Sequence, residues 1–194
     1  MSYTTINKSS ILMNNKLYTG NGSTNAITGV GFQPDFTWLK QRDGTRAHYL
    51  FDAVRGATKE LNSNNSNDEN TNANGLQSFN SDGFTLGSEG EMNENTATFA
   101  SWSWKAGTTS GINTTGATIT PTSYSFNQTA GFSILRYTGT GSQGKVAHGL
   151  GAIPAMVIIK RTKADGDSWA VKHQDYTPNS YSQFLNSNID RKTV

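Results

Sequence analysis

The feature that most restricts how this chain folds is a repeat. Gly29-Val-Gly-Phe-Gln-Pro-Asp-Phe-Thr-Trp-Leu-Lys40 returns as Gly149-Leu-Gly-Ala-Ile-Pro-Ala-Met-Val-Ile-Ile-Lys160. Tyr18-Thr-Gly-Asn-Gly-Ser23 returns as Tyr137-Thr-Gly-Thr-Gly-Ser142, and Leu61-Asn-Ser-Asn64 as Leu185-Asn-Ser-Asn188, at offsets of 119 to 124 residues. Three matches in the same order point to a duplicated unit. In each copy a glycine turn leads to a proline that opens a strand, a position where its missing N–H costs no ladder bond. The copies are unequal. Trp104 lies 43 residues after Leu61, whereas 9 residues follow Leu185. A half-built sheet leaves an unpaired edge and a bare apolar face. Either a polypeptide that continues past Val194 or a partner chain is expected to complete the second copy.

The remaining apolar segments read as strands, because they are short, rich in aromatic and β-branched residues, and bounded by turn residues. Candidates are Phe36–Lys40, Phe84–Leu86, Thr98–Trp104, Phe132–Tyr137, Met156–Lys160, Ser168–Lys172 and Gln183–Leu185. Thr98–Trp104 alternates, so Ala100, Trp102 and Trp104 share one face, expected to be core. Met156–Ile159 is apolar on both faces and is expected to be a central strand. Only Asp52–Leu61 could form a helical turn or two, and Gly56 weakens it. The expected fold is all-β, with two tandem β-sandwich modules of jelly-roll or lectin-like type and long polar loops. Residues 1–15 form an N-terminal arm, 16–107 the first module, 108–116 a small polar linker, and 117–194 a truncated second module.

Composition narrows the function classes. The 194 residues are 34% hydrophobic and only 15% charged, with a net charge of +2. The polarity comes from Asn, Ser, Thr and Gly, and 10% aromatic residues supply a core, which argues against a disordered chain. The densest basic group, Lys160, Arg161 and Lys163, is followed at once by Asp165 and Asp167. That is not the stripe a nucleic-acid binder concentrates. No cysteine is present, which removes disulfides and thiolate metal sites. The first ten residues lack the apolar segment of a signal peptide. The longest apolar run, Ala155–Ile159, is far short of the roughly 20 residues that span a bilayer. A protein made in the cytoplasm, with no membrane span, is expected.

Four strings carry a family resemblance: Gly31–Lys40; Phe51-Asp-Ala-Val-Arg-Gly-Ala-Thr-Lys59; Asn74-Gly-Leu-Gln-Ser-Phe-Asn-Ser-Asp-Gly-Phe-Thr-Leu-Gly87; and Ser101-Trp-Ser-Trp-Lys-Ala-Gly107. Together they resemble a repeated domain of tail-fibre and other virion proteins of marine tailed phages, including those that infect cyanobacteria. The resemblance covers most of residues 16–107, and residues 131–188 more weakly. The second copy lacks the Asp-Gly-Phe-Thr-Leu-Gly and Trp-x-Trp segments. The resemblance implies a β-sandwich assembled in several copies on the particle. It also implies a location in the virion, with the tail favoured over the head.

Candidate chemical motifs fail on their flanks. Gly139-Thr-Gly-Ser-Gln-Gly144 has the G-x-G-x-x-G spacing, but Gly149, Gly151 and Pro154 preclude the helix on which a pyrophosphate would sit. Glu89, Glu91 and Glu94 have a spacing used by some glycan hydrolases, but the intervening residues read as a solvated loop. His48, His148 and His173 stand far apart, none with a carboxylate at ligand spacing. The Asn-rich stretch Asn62–Asn74 reads as a mobile surface loop. No catalytic, cofactor-binding or metal-binding residue is expected, and no cofactor.

Two sets of residues remain as candidate binding sites. Trp102 and Trp104 would stack on a glycan if exposed. Tyr3, Ile6, Ile11, Leu12 and Met13, with no evident core partner, would dock an attachment arm on the particle. The expected function is that of a structural virion protein, a tail-fibre or spike component that attaches to the tail and binds a host surface. The alternatives are a capsid-decoration or head-fibre protein, and a carbohydrate-binding module or glycan hydrolase. Expected partners are other virion proteins (tail adaptor, nozzle or capsid), copies of itself with a trimer favoured, and a host surface glycan.

Overall fold

The computed structural model describes residues 6, 8–163, 166–176, 181–187 and 192–193. The fold is all-β. The first half holds β1 (Met13–Thr19), β2 (Asn25–Ile27), β3 (Phe36–Gln41), β4 (Tyr49–Asp52), β5 (Lys59–Asn62), β6 (Asn70–Thr71), β7 (Leu76–Asn80), β8 (Gly83–Leu86) and β9 (Thr98–Trp104). One helical turn, α1 (Gly90–Asn93), precedes β9. The second half holds β10 (Ser123–Asn127), β11 (Phe132–Arg136), β12 (Met156–Ile159), β13 (Ala170–His173), β14 (Tyr181–Phe184) and β15 (Lys192–Thr193).

In the first half, a six-stranded sheet of order β1-β9-β3-β4-β5-β6 packs on a three-stranded sheet, β2-β8-β7. Period-two alternation decides which side chains go between them. Thr37, Leu39 and Gln41 of β3 point inward and are buried, while Phe36, Trp38 and Lys40 are half-buried on the outer face. Leu39, Tyr49, Phe51, Ile27, Leu76, Phe84, Leu86 and Met92 form the core, and each large side chain contributes about 2 kcal/mol of apolar burial. Polar groups inside are paired. Thr37 and Ser103 share a hydroxyl hydrogen bond of 3.3 Å. Asn93, fully buried, donates to the carbonyls of Ser23 (2.6 Å) and Gly87 (2.7 Å). At Gly83, which has φ +145°, an added Cβ would sit 2.0 Å from the Ile27 carbonyl oxygen, so only glycine lets β8 pass so close to β2.

The second half repeats one part of this plan. β12-β13-β14-β15 is a four-stranded antiparallel sheet with the registers of β3-β4-β5-β6. Phe36 faces Asp52 and Leu39 faces Tyr49; Met156 faces His173 and Ile159 faces Ala170. Lys59 faces Thr71 as Tyr181 faces Thr193. Ala53 N–H donates to the Asp35 carbonyl as Gln174 N–H donates to that of Ala155, both at 2.8 Å. The paired glycines also match: Gly29 and Gly31 have φ of +77° and +89°, Gly149 and Gly151 of +75° and +73°. The turn thus needs glycine at both positions in both copies. In one place the structural equivalence differs from the sequence match. His48 N–H donates to Asn64 Oδ1, and Trp169 N–H to Asn186 Oδ1. Asn186 therefore stands for Asn64 rather than Asn62, a two-residue shift.

Three sequence expectations are corrected. Met156–Ile159 is not a central strand: β12 is the edge of its sheet, and all four residues are exposed. Nothing among the described residues occupies the place that β9 holds beside β3. Asp52–Leu61 forms no helix; Arg55 folds back on the Asp52 carboxylate (2.5 Å), Gly56 adopts φ +111°, and Lys59 opens β5. The Asn62–Asn74 stretch is pinned, not loose. Asn70 and Asn72 donate to the Glu60 carboxylate, Asn72 also to Glu89, and Glu69 accepts from Arg55.

Candidate functional site

The outer face of the six-stranded sheet collects most of the chain's tryptophan. Cross-strand register places Trp102 opposite Trp38 and Trp104 opposite Phe36, with Asn15, Leu17 and Met13 beside them on β1. Leu50 and Leu61 extend the same face onto β4 and β5. Ala100, Trp102 and Trp104 do share a face, but the sandwich core takes the opposite one, where Phe99, Ser101 and Ser103 are fully buried. The two tryptophans are half-buried.

Residues of the second half cover part of this surface. Phe132 stacks near Trp104, with ring centroids 6.1 Å apart and planes 23° apart, and lies edge-on to Phe36. Trp169, 7% exposed, packs on Leu50 and Leu61 with Phe36 and Trp38 around it, and its indole N–H donates to the Asn62 carbonyl at 2.8 Å. Asp35, buried, ties the halves together by accepting from Ala106 N–H and the Ser125 hydroxyl, both at 2.8 Å. Trp104 is therefore a packing residue. Trp102 keeps an open flank: Asn15 opposite it is exposed, Leu17 is 59% exposed, and no aromatic ring among the described residues stacks on it. An indole face beside an amide is the arrangement on which a sugar ring can stack.

The acidic motif is built into the fold. It forms α1 and not an open loop. Glu89 caps α1 by accepting from Glu91 N–H, and Glu91 and Glu94 both hold Arg46, whose pKa these carboxylates raise. Glu91 also accepts from the Tyr49 hydroxyl at 3.0 Å, and burial first, then this carboxylate, pushes the phenol pKa up. The three histidines stay apart. His48 Nδ1 accepts from the Trp38 indole at 3.0 Å, His148 Nδ1 from Leu150 N–H, and His173 lies 3.5 Å from the Asp175 carboxylate, a neighbour the sequence reading missed. Burial, and secondarily the charge of Lys40, lowers the His48 pKa. Among the described residues no cluster of three or more His, Asp and Glu side chains is placed to hold a metal ion. No described helix is long and apolar enough to cross a membrane.

The attachment residues separate into two groups. Met13 opens β1, and the Leu12 carbonyl accepts from Lys105 N–H at 2.8 Å, so both belong to the sheet. Ile11 ends a single 3₁₀ turn and is 52% exposed, and Ile6 is half-buried. Tyr3 lies outside the described residues. Sequence reasoning missed Trp169 and Phe132 as the residues that cover part of the outer face, and Asp35 as the one that ties the halves together. A lone Trp169 in a polar stretch was the available signal.

No curated protein and no solved structure matches the chain. A family model does, over residues 8–193, a span that includes both copies of the repeat, and the chain thus belongs to the family described as Domain of unknown function (DUF7483).

Proposed function

We propose that this chain is a structural protein of a tailed-phage particle, a tail-fibre or spike component that acts by binding. The observation that carries this reading is the resemblance of Gly31–Lys40, Phe51–Lys59, Asn74–Gly87 and Ser101–Gly107 to a repeated domain of marine phage virion proteins. The architecture agrees with it. The carboxylates and histidines that could be taken for chemistry are each engaged in structural pairs. In this reading the chain assembles as a homo-oligomer, with a trimer favoured, and residues up to Ile11 dock it on a tail adaptor, a nozzle or the capsid.

Mass spectrometry and a density map of purified particles test the reading. The expected result is the chain at stoichiometric copy number, with density at the tail. Density on the head would assign it to capsid decoration, and absence from particles would refute the proposal. Deleting residues 2–8 should abolish incorporation and leave the rest of the chain folded, because β1 begins at Met13.

A second reading, host-glycan binding, is favoured by the open flank of Trp102 beside Asn15. Trp102→Ala should remove a glycan-array signal at the cost of about 1 kcal/mol of stability. A signal that survives the substitution would place the glycan elsewhere.

A further inference from the structure

We infer that the free edge of β12 is a receptor for an added antiparallel strand, supplied by a partner polypeptide whose residues alternate between aromatic and small as those of β9 do. The inference stands on the internal repeat and does not depend on the reading above. In the first half, β3 is held between β4 and β9, with Phe36 facing Trp104 and Gln41 facing Phe99. In the second half, β12 and β13 reproduce the β3–β4 register residue for residue. The place beside β12 that corresponds to β9 is unfilled among the described residues.

The edge has the character of an interface. Met156, Val157, Ile158 and Ile159 are 55%, 38%, 42% and 46% exposed, and Ile153 just before them is 93% exposed. Edge strands in water are normally guarded by charge, proline or a bulge, and this one carries no charge along its length. The nearest cations do not guard it. Lys160 Nζ is held by the carbonyls of Asp167 (2.8 Å) and Ser66 (3.1 Å), and Arg161 pairs with Asp167.

The first half specifies what would fit. By equivalence, Met156 and Ile158 take the places of Phe36 and Trp38, which lie beside Trp104 and Trp102. Val157 and Ile159 take those of Thr37 and Leu39, which lie beside Ser103 and Ser101. The incoming strand should therefore present bulky aromatic side chains on one face and small ones on the other. Main-chain bonds would supply affinity and the alternation specificity.

The test uses the whole chain and a synthetic peptide of the β9 sequence, residues 97–106. The expected result is saturable one-to-one binding that a scrambled peptide does not give, with slowed amide exchange confined to Met156–Ile159. The double variant Val157→Lys/Ile159→Lys should weaken binding at least about tenfold. If the variant misfolds, the exchange pattern of the parent chain decides. Absence of binding, equal binding of the scrambled peptide, or protection elsewhere would overturn the inference. So would concentration-dependent self-association that the double variant abolishes, because the occupant would then be a second copy of β12.

Discussion

β3 and β12 descend from the same repeat, share a register with their next strand and follow the same glycine turn, yet one is buried and the other bare. The sequences alone suggest the reverse. Phe36-Thr-Trp-Leu-Lys-Gln41 carries a lysine and a glutamine, and Met156-Val-Ile-Ile159 is wholly apolar. The difference lies in the neighbours. β3 has β9 on one side, β4 on the other, and the β2-β8-β7 sheet below it. β12 has β13 alone. A strand's burial is a property of what flanks it, and a duplicated segment inherits its pairing register without inheriting its cover.

The strongest way to break this comparison is to remove the residue by which the second half gains cover. Trp169→Ala deletes a 7%-exposed indole packed on Leu50 and Leu61 and should cost about 4 kcal/mol. In denaturant the parent is expected to unfold in one transition and the variant in two, with the second half released first. A cost under about 1 kcal/mol would mean that the two halves are held by something other than this contact.

The direct comparison comes next. Leu39 and Ile159 occupy equivalent positions, at 0% and 46% exposure. Leu39→Ala should cost about 3 kcal/mol and Ile159→Ala no more than about 0.5 kcal/mol. Equal costs would show that β12 is covered in solution. A smaller effect is expected at Asp35 and its counterpart Ala155. Asp35→Ala leaves the Ala106 N–H and the Ser125 hydroxyl without their acceptor and should cost about 2 kcal/mol. Ala155→Asp, on an exposed residue, should change stability by less than about 0.5 kcal/mol.

These contrasts also explain how much the sequence disclosed. The β-class, the strand at Thr98–Trp104 and the shared face of Trp102 and Trp104 were legible, because alternation and turn residues are local signals. The repeat was legible too, and its glycines keep their left-handed geometry in both copies. Burial was not legible. Met156–Ile159 reads as central because apolarity on both faces usually means cover on both. Trp102 and Trp104 read as core because nothing in a strand says which of its faces meets the second sheet. The role of Trp169 depends on Leu50 and Leu61, more than a hundred residues earlier, and no local pattern carries that. The acidic motif illustrates the same limit. Its spacing suggests chemistry, but Arg46, the partner of Glu91 and Glu94, is a long-range neighbour.

The smallest effect separates the copies by pH. His48 and Trp169 are equivalent: each donates its backbone N–H to an asparagine side chain, Asn64 or Asn186. Only the first copy places a titratable ring there. The Trp38 indole N–H donates to His48 Nδ1, which requires that nitrogen to be unprotonated, and burial, then Lys40, keeps the pKa below its usual value. In the window just below the unfolded pKa of about 6.5, the unfolded chain binds more protons than the folded one. The contribution is therefore complete above that value and is lost as the pH falls through the lowered folded value. Cooling of the melting temperature between about pH 7.5 and about pH 5.5 should be larger for the parent than for His48→Gln, whose amide can still accept from Trp38 but does not titrate. Asp82, held low by the backbone N–H groups of Gly31 and Gly29, and Asp43, held low by that of Thr98, lose their contributions at more acid pH and equally in both proteins. Identical pH profiles for parent and variant would remove His48 from the account and leave the two copies alike in their response to acid.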